Sequence, residues 1–229
     1  MVTYVKYTFP ILLLFFTFLF MLASHAADAQ KKEVRAGAGK SSPAAVPARN
    51  AISIDEMTET DKRILALAKA AAGECARALE NAVKSGQKSE EDIFSTLYFP
   101  LLPVTSPPTF STFYDDYTDK VITPIVDSYL AKDRVILAVG LVDRNGYLPS
   151  NNSKYSRPLT GNPEIDIKKH RTKRIFNDII GLKASKNTRE FLLQIYRRDT
   201  GETTADLSVP VFVLNRHWGA LRILYGRGE

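Results

Sequence analysis

Residues 135–142 read VILAVGLV, and DRNG follows at once at residues 143–146. A run that is apolar at every position predicts a central strand that is covered on both faces. An Asn-Gly pair between apolar runs is the strongest short-range signal of a hairpin, so Tyr147 and Leu148 are expected to begin a returning strand that Pro149 stops. This region is therefore expected to start a β-sheet.

Three further strands are predicted at residues 191–197, 207–214 and 218–225, where short apolar runs are separated by turn residues. A polar connection, residues 150–188, joins the hairpin to these strands, and one helix is predicted within it at residues 165–177. The order of elements predicts an α+β fold with a five-stranded antiparallel sheet, a long N-terminal helix and a crossover helix.

The long helix is predicted to begin at Thr60 or Asp61, either of which can cap it, and to end at Ser85 and Gly86. Small apolar residues recur along it at helical spacing and form a stripe: Ala68, Ala71, Cys75 and Ala78. Such a stripe allows close packing against another helix or a second chain, so a homodimer through this helix is a hypothesis. Cys75 is expected to be a buried apolar residue rather than a reactive thiol.

A proline-rich segment with many aromatic residues follows the long helix. Its prolines, at positions 100, 103, 107 and 108, predict an irregular chain, and its aromatic residues are expected to fill a core or line a pocket. Helical periodicity returns over residues 116–131, with Pro124 as a local distortion. Residues 53–132 are therefore expected to form a helical stalk, and residues 133–229 the sheet region.

The N-terminus has the features of an export signal. Lys6 supplies a positive start, residues 9–23 are almost unbroken in their apolar character, and small residues follow, so residues 1–26 are predicted to be a cleaved signal peptide. The alternative is a retained membrane anchor, because residues 4–23 are about as long as a bilayer requires. Residues 27–52 are rich in Ala, Lys, Gly, Ser and Pro and are predicted to be a flexible linker. A periplasmic or secreted protein is expected.

The composition excludes several classes of protein. The chain has 229 residues, 45% of them apolar and 24% charged, which excludes disorder throughout and a multi-pass membrane protein. One cysteine and three histidines allow no intramolecular disulfide and no Cys/His zinc cluster, so no metal or other cofactor is expected. The formal net charge of +6 permits anionic partners, but nucleic acid is not expected for an exported chain.

The sequence contains no common enzyme signature. G-x-S-x-G, H-E-x-x-H and a complete phosphate-binding loop are all absent, so the protein is not expected to be an enzyme. Members of a catalytic triad need not be neighbours in sequence, however, and an exported enzyme with a site around His170 and His217 is the alternative. A structural module that dimerises through the long helix is a further alternative.

Five strings in the sheet region carry a family resemblance. They are DRNGYLP (143–149), HRTKRIFND (170–178), FLLQIYRRDTG (191–201), DLSVP (206–210) and RHWGALRILY (216–225). In this order and spacing they resemble the Cache/PAS-like sensory module that is attached to bacterial methyl-accepting chemotaxis proteins. The resemblance covers residues 143–225.

The resemblance implies a sheet that cups a small-molecule site and an N-terminal helix that transmits the signal, as in chemotaxis. The chain departs from the family pattern after the hairpin, where Asn151 stands in place of an expected histidine, and at Ala220, which replaces a glycine. A family pocket that uses that histidine would be altered here. No signalling helices follow the last strand, so a stand-alone exported sensor that signals through a membrane-bound partner is expected.

The candidate site is expected to hold a small ligand, with an anionic group favoured. Gln194 and Tyr196 share one strand face. Residues 168–174 of the crossover form a basic run, in which Arg171 and Arg174 offer guanidinium forks to a carboxylate or phosphate. A solvated helix face is the competing interpretation of that run. The candidate ligand-binding residues are Asn152, Tyr155, Arg171, Arg174, Gln194, Tyr196, Asp206 and Trp218.

Arg222, in the last strand, must reach solvent, an acidic partner or an anionic ligand, because an unpaired buried charge is too costly. Asp206 is a candidate partner, so an internal ion pair and a ligand role both stay open. Strand alternation places Trp218 on the same face as Arg222. His217 is expected to be a hydrogen-bonded core histidine rather than a haem ligand.

Overall fold

The computed structural model describes residues 52–197 and 203–227. The predicted signal peptide, residues 1–26, and all but the last residue of the predicted linker lie outside the described residues, so both stay predictions. Within the described ranges, no helix is both long enough and apolar enough to cross a membrane.

The longest helix, α1 (Glu59–Lys84), begins slightly earlier than the sequence predicts. Its N-cap is Thr58, whose hydroxyl accepts the backbone N–H of Asp61 at 3.1 Å, while the Asp61 carboxylate accepts the N–H of Thr58 at 2.8 Å. This reciprocal capping box explains why neither Thr60 nor Asp61 is the cap. The predicted end is confirmed, since the helix stops at Lys84 and Gly86 adopts a φ of +71°.

Four shorter helices follow: α2 (Glu90–Ile93), α3 (Asp115–Leu130), α4 (Pro163–Lys169) and α5 (Ile179–Ser185). Helix α3 confirms the prediction for residues 116–131 to within one residue and contains Pro124. Single turns of 3-10 helix cover Ile54–Glu56 and Ser153–Tyr155.

The strands fall into one large sheet and two small ones. In chain order they are β1 (Phe99–Pro100), β2 (Phe110–Ser111), β3 (Ile136–Asp143), β4 (Tyr147–Leu148), β5 (Ser150–Asn151), β6 (Arg174–Ile175), β7 (Leu192–Arg197), β8 (Thr203–Val213) and β9 (Arg216–Tyr225). The large sheet is antiparallel throughout and has the spatial order β5-β3-β9-β8-β7. The predicted α+β fold with a five-stranded antiparallel sheet is confirmed, and it is consistent with a PAS/Cache-like architecture.

Helices α1 and α3 pack against each other and against the large sheet, and this contact forms the main core. The small-residue stripe of α1 lies in it: Ala68, Ala71 and Cys75 are fully buried. The stripe packs within its own chain, which corrects the prediction that it offers a seam for a homodimer. Burial of Cys75 is confirmed, and that burial raises the pKa of its thiol to about 12.

The hairpin after β3 has the predicted turn but a different returning strand. The Asp143 carboxylate accepts the backbone N–H groups of Asn145 and Tyr147 at 2.8 and 2.9 Å, which shapes the turn. β4 then leaves the large sheet and pairs with β6, whereas β5 returns to β3. Pro149 separates β4 from β5 rather than ending the returning chain. Its carbonyl accepts the hydroxyl hydrogen of Thr172, which ties the crossover to this corner.

The crossover is defined here as residues 152–191, and the helix predicted in it at 165–177 is only partly present, as α4 covers Pro163–Lys169. Helix α4 ends at Lys169, and the backbone reaches a φ of +61° at Lys173 before β6 begins. Two arginines bind the carbonyl groups at the end of α4: Arg171 Nη1 lies 3.3 Å from Ile167 O, and Arg174 Nη2 lies 3.0 Å from Asp166 O. The basic run is therefore a folded-back cap and a strand, not a continuous helix face.

Candidate functional site

The two faces of the large sheet differ sharply in chemistry. One face packs against α1 and α3 through apolar residues such as Leu193 and Leu207. The opposite face has a small apolar cluster around Val142 and Ala220 and, beside it, a set of polar residues that is here called the polar face: Gln194, Tyr196, Thr204, Asp206, Ser208 and Arg222. Gln194 stands opposite Asp206, Tyr196 opposite Thr204, and Ser208 opposite Arg222 in the strand register. All of them except Tyr196, which is half-buried, are buried.

An ion pair lies within the polar face. Arg222 Nη2 makes a short hydrogen bond to Asp206 Oδ2, and Arg222 Nε lies 3.4 Å from Asp206 Oδ1. Burial opposes the charge of Arg222, but the Asp206 carboxylate outweighs this effect, so the pKa of Arg222 lies above its usual value. The internal partner that the sequence left open is therefore confirmed. It does not occupy the whole guanidinium, since the Nη1 group makes no hydrogen bond within the described part of the chain.

The crossover covers the polar face. Helix α5 contacts β8 and β9, and Gln194 Nε2 donates to the carbonyl oxygen of Ile180 at 3.1 Å. At the other side, Leu148 of β4 lies over Gly140 of β3, where an added Cβ would come within 3.0 Å of Leu148 Cδ1. Gly140 stands opposite Arg222 in the register, so the cover approaches the sheet closely beside the ion pair. This covering layer explains why polar side chains on an outer sheet face are buried.

One buried group on the polar face lacks a partner. Thr204 is 1% exposed, and its hydroxyl oxygen has no hydrogen-bond partner within residues 52–197 and 203–227. A buried polar atom without a partner is uncommon and calls for an explanation, such as a water or a ligand. Together with the Nη1 group of Arg222, it gives this face polar groups that are available to a small molecule.

Four of the candidate residues lie on or directly over the polar face: Gln194, Tyr196, Asp206 and Arg174. Arg174 is buried and stands opposite Leu148, the residue that lies over Gly140. Arg171 is half-buried, and its guanidinium stacks over the Phe176 ring at 5.4 Å. Since both arginines also bind carbonyl groups of α4, they hold the crossover in shape.

Asn152 and Tyr155 lie elsewhere and bond to backbone and helix groups. Asn152 is fully buried, where its Oδ1 accepts the N–H of Val139 at 2.7 Å and its Nδ2 donates to Asp127 of α3 at 3.2 Å. The hydroxyl of Tyr155 donates to the carbonyl oxygen of Leu137 at 3.0 Å. These contacts join β5 and the start of the crossover to β3 and α3, so both residues have structural partners.

Trp218 lies in the main core, on the face opposite to the predicted one. A β-bulge places two residues of β9, His217 and Gly219, opposite consecutive residues of β8, so Trp218 between them has no partner in the register. The bulge reverses the alternation, and the Trp218 indole packs on Tyr114 and donates to Ile93 O at 2.8 Å. Trp218 therefore does not share a face with Arg222.

The two histidines of the alternative enzyme site lie in different surroundings. His170 directly follows α4, and its Nδ1 lies 2.7 Å from the carbonyl oxygen of Arg157. The His217 ring packs against Phe212, and its buried Nε2 has no hydrogen-bond partner within the described residues. The same part of the chain contains no group of three or more His, Cys, Asp or Glu residues that could hold a metal ion.

Sequence reasoning missed Thr204 and Ser208. Both alternate with Ala205, Leu207 and Val209 along β8, so a period-2 pattern of polar residues was present in the sequence. The strand predicted from the apolar run begins at residue 207 and so excludes Thr204, whereas the observed strand begins at Thr203. The polar face is consequently wider than the predicted wall of Gln194 and Tyr196.

Comparisons with known proteins leave the family open. No protein-family model matches the chain, and no curated protein matches it. A solved structure described as an extracellular ligand binding receptor from Desulfohalobium retbaense DSM5692 is similar to 75% of this chain, with 16% identity and a TM-score of 0.34. The similarity spans 26% of that receptor's chain. The function of this chain must therefore be inferred from its own residues.

Proposed function

We propose that this protein is an exported, non-enzymatic sensory protein that binds a small molecule between the polar face and the crossover. One observation carries the proposal: five polar side chains are buried on one side of the sheet, and the hydroxyl of Thr204 has no partner among the described residues. Burying polar groups without partners costs free energy, and a bound molecule would supply the missing hydrogen bonds.

The charges favour a ligand with a carboxylate or phosphate group. Arg222 contributes only its Nε and Nη2 groups to Asp206, so the two hydrogens on Nη1 remain for an anionic oxygen. Such a charge-assisted hydrogen bond contributes roughly 1.5 to 3 kcal/mol. Tyr196 lies close enough to influence the pKa of Arg222, and its half-buried ring would border the ligand.

Transmission of the signal would require a second protein. Within the described residues the N-terminal helix α1 packs on the sheet beneath the polar face, and a membrane-bound partner would read changes in that packing. Export rests on the predicted signal peptide at residues 1–26. Sequencing of the N-terminus of the native protein tests it: a start between Ala27 and Gln30 supports export with cleavage, whereas an intact Met1 in the membrane fraction supports the anchor.

A thermal-shift screen tests the ligand site directly. The native protein would be screened against small carboxylates, amino acids and phosphates, and a ligand at 100 times its dissociation constant should add about 2.7 kcal/mol to the free energy of unfolding. The variant Thr204→Val keeps the shape of the side chain and removes only the unpartnered hydroxyl. It should fold normally and bind the ligand more weakly, by about tenfold for one lost hydrogen bond.

Thr118→Val is the matched control. Thr118 is also fully buried, but it lies in α3, on the other side of the sheet, and its hydroxyl donates to Asp115 O at 3.1 Å. This variant should lose stability and keep its affinity for the ligand. Equal affinities of the wild type and Thr204→Val would show that Thr204 does not contact the ligand. If no carboxylate, amino acid or phosphate stabilises the protein, the proposed ligand chemistry is wrong.

A further inference from the structure

An uncharged stretch lies between α2 and α3. Residues 93–114 contain no Asp, Glu, Lys, Arg or His, although 24% of the residues in the whole chain are charged. This stretch also has six large apolar side chains that are exposed, with Leu102 and Val104 at 83% and 69%. The apolar tip is defined here as Leu97, Phe99, Leu101, Leu102, Val104 and Phe113.

The apolar tip is displayed on an ordered hairpin. Strands β1 and β2 pair at its base, and Leu101 N–H donates to Thr109 O at 2.9 Å across the loop. Two contacts join the hairpin to the rest of the chain: Phe110 N–H donates to Lys173 O at 2.8 Å, and the Tyr147 hydroxyl donates to Phe110 O at 3.0 Å. Prolines also fix the backbone φ angle at four positions of the segment.

Some polar groups of the loop are absent or bonded within it. Pro103, Pro107 and Pro108 have no backbone N–H to satisfy. The Thr105 hydroxyl donates to Pro107 O at 2.7 Å and lies 3.3 Å from the Thr109 hydroxyl. In a hydrocarbon medium each unsatisfied polar group is costly, so the missing N–H groups of the prolines and these internal hydrogen bonds lower the cost of inserting the loop.

We infer that the apolar tip inserts into the outer layer of a lipid bilayer. A protein partner would normally meet a polar and charged rim around an apolar centre. The 22 residues of this segment carry no charge, and the charged groups beside Phe113, Lys88 and Asp116, already pair with each other. The chain before the described residues also favours lipid. Residues 9–23 of the sequence are an almost unbroken apolar run, as in export signals and membrane anchors, and a retained segment of this kind would hold the domain at a membrane surface. Export would deliver the domain to the same membrane surface if the segment is cleaved.

A tryptophan placed in the tip reports its surroundings. The full chain has one tryptophan, Trp218, which is buried in the core and shielded from lipid. The variant Leu102→Trp would be mixed with phosphatidylcholine vesicles whose acyl chains carry bromine, which quenches nearby indoles. Its emission should shift to shorter wavelength and be quenched, because the new indole enters the acyl region. Zwitterionic vesicles remove general attraction by the net positive charge of the protein.

The matched control is Ile179→Trp, since Ile179 is 75% exposed on α5, outside the tip. Both variants carry the same N-terminal segment, so only the difference between their quenching is informative. Stronger quenching of Leu102→Trp than of Ile179→Trp supports insertion. Adding Val104→Asp to Leu102→Trp should also lower partitioning into vesicles about tenfold or more, because a carboxylate is costly in hydrocarbon. Equal quenching of both indoles overturns it. A blue shift of Leu102→Trp without vesicles that grows with protein concentration also overturns it, in favour of contact with a second copy.

Discussion

Tyr225, at the end of the last strand, donates its hydroxyl hydrogen to the carboxylate of Asp61, in the first turn of α1. The same carboxylate accepts two hydrogen bonds from Arg227, at 2.7 and 2.9 Å, and one from the Thr58 backbone. A single fully buried side chain therefore completes the capping box of α1 and fixes this helix to the C-terminal end of the sheet.

This contact predicts a loss of stability in acid. Burial opposes the charge of Asp61, but hydrogen bonds from Tyr225 and Arg227 outweigh it, so its pKa lies below the usual 3.8. A carboxyl whose pKa is lowered by folding stabilises the protein above the unfolded pKa, and this contribution is lost as the pH falls through the folded pKa. The loss attributable to Asp61 should therefore occur below about pH 4.

Urea unfolding of the wild type and of Asp61→Asn, at pH 7 and at pH 3, measures the effect. The wild type should be clearly more stable at pH 7, and the difference should shrink at pH 3. Asp115 and Asp143 have pKa values raised by burial, which act with the opposite sign, but both proteins contain them and the comparison removes their effect. A difference that does not change with pH would contradict the role given to the Asp61 charge.

The buried ion pair of the polar face predicts an asymmetric response to mutation. Arg222→Met leaves the Asp206 carboxylate buried without its partner and should lower the free energy of unfolding by about 3 to 5 kcal/mol. The double variant Arg222→Met/Asp206→Leu removes both charges and should recover much of that loss. Chemical denaturation of the wild type, the single variant and the double variant measures the free energy of unfolding of each. If the value for Arg222→Met lies within about 1 kcal/mol of the wild-type value, the ion pair is solvated.

Gly219 is predicted to be irreplaceable. A Cβ there would lie 2.0 Å from the carbonyl oxygen of Val142, a backbone atom that cannot move aside. Gly219→Ala should therefore lower stability by roughly 3 kcal/mol or more, or prevent folding. Gly73→Ala, in α1, is the control: its Cβ would meet only a flexible arginine at 3.4 Å, and it should stabilise the protein by about 0.5 to 1 kcal/mol. Thermal unfolding of both variants tests the pair.

Cys75 is predicted to be unreactive in the folded protein. Burial, with a smaller effect from Glu74, raises the pKa of its thiol to about 12, so almost no thiolate exists at pH 8. A disulfide reagent that releases a coloured thiol should react with Cys75 only after addition of denaturant. Rapid reaction of the native protein would show that α1 separates from the sheet in solution.

The position of the small-residue stripe predicts the effect of Ala71→Glu. Ala71 is fully buried between α1 and the rest of the core, so a glutamate there should unfold the protein rather than change its association. Ala70→Glu is the matched control, because Ala70 is exposed on the same helix and the substitution should change stability by less than about 0.5 kcal/mol. Circular dichroism and light scattering separate the two outcomes. If Ala71→Glu is a folded monomer and the wild type is a dimer, the stripe is a subunit interface after all.

Most of the helices and strands follow from local patterns in the sequence. The continuous apolar run before DRNG predicts β3, short apolar runs between turn residues predict β7 and β9, and helical spacing predicts α1 and α3. The burial of Cys75 followed from the same spacing. These properties depend on residues that are neighbours along the chain, because the period of the apolar pattern matches the period of the element. The Gln194 and Tyr196 face was predictable for that reason.

The surface that each buried side contacts depends on long-range packing. The stripe at Ala71 predicts close packing equally well for a partner chain and for the chain's own sheet, because periodicity carries no information about the contacting surface. The extra residue at Trp218 reverses the strand alternation, and β4 pairs with β6 across a loop of 25 residues. Register, bulges and long-range pairing are set by how the whole core packs, and a local pattern does not encode them.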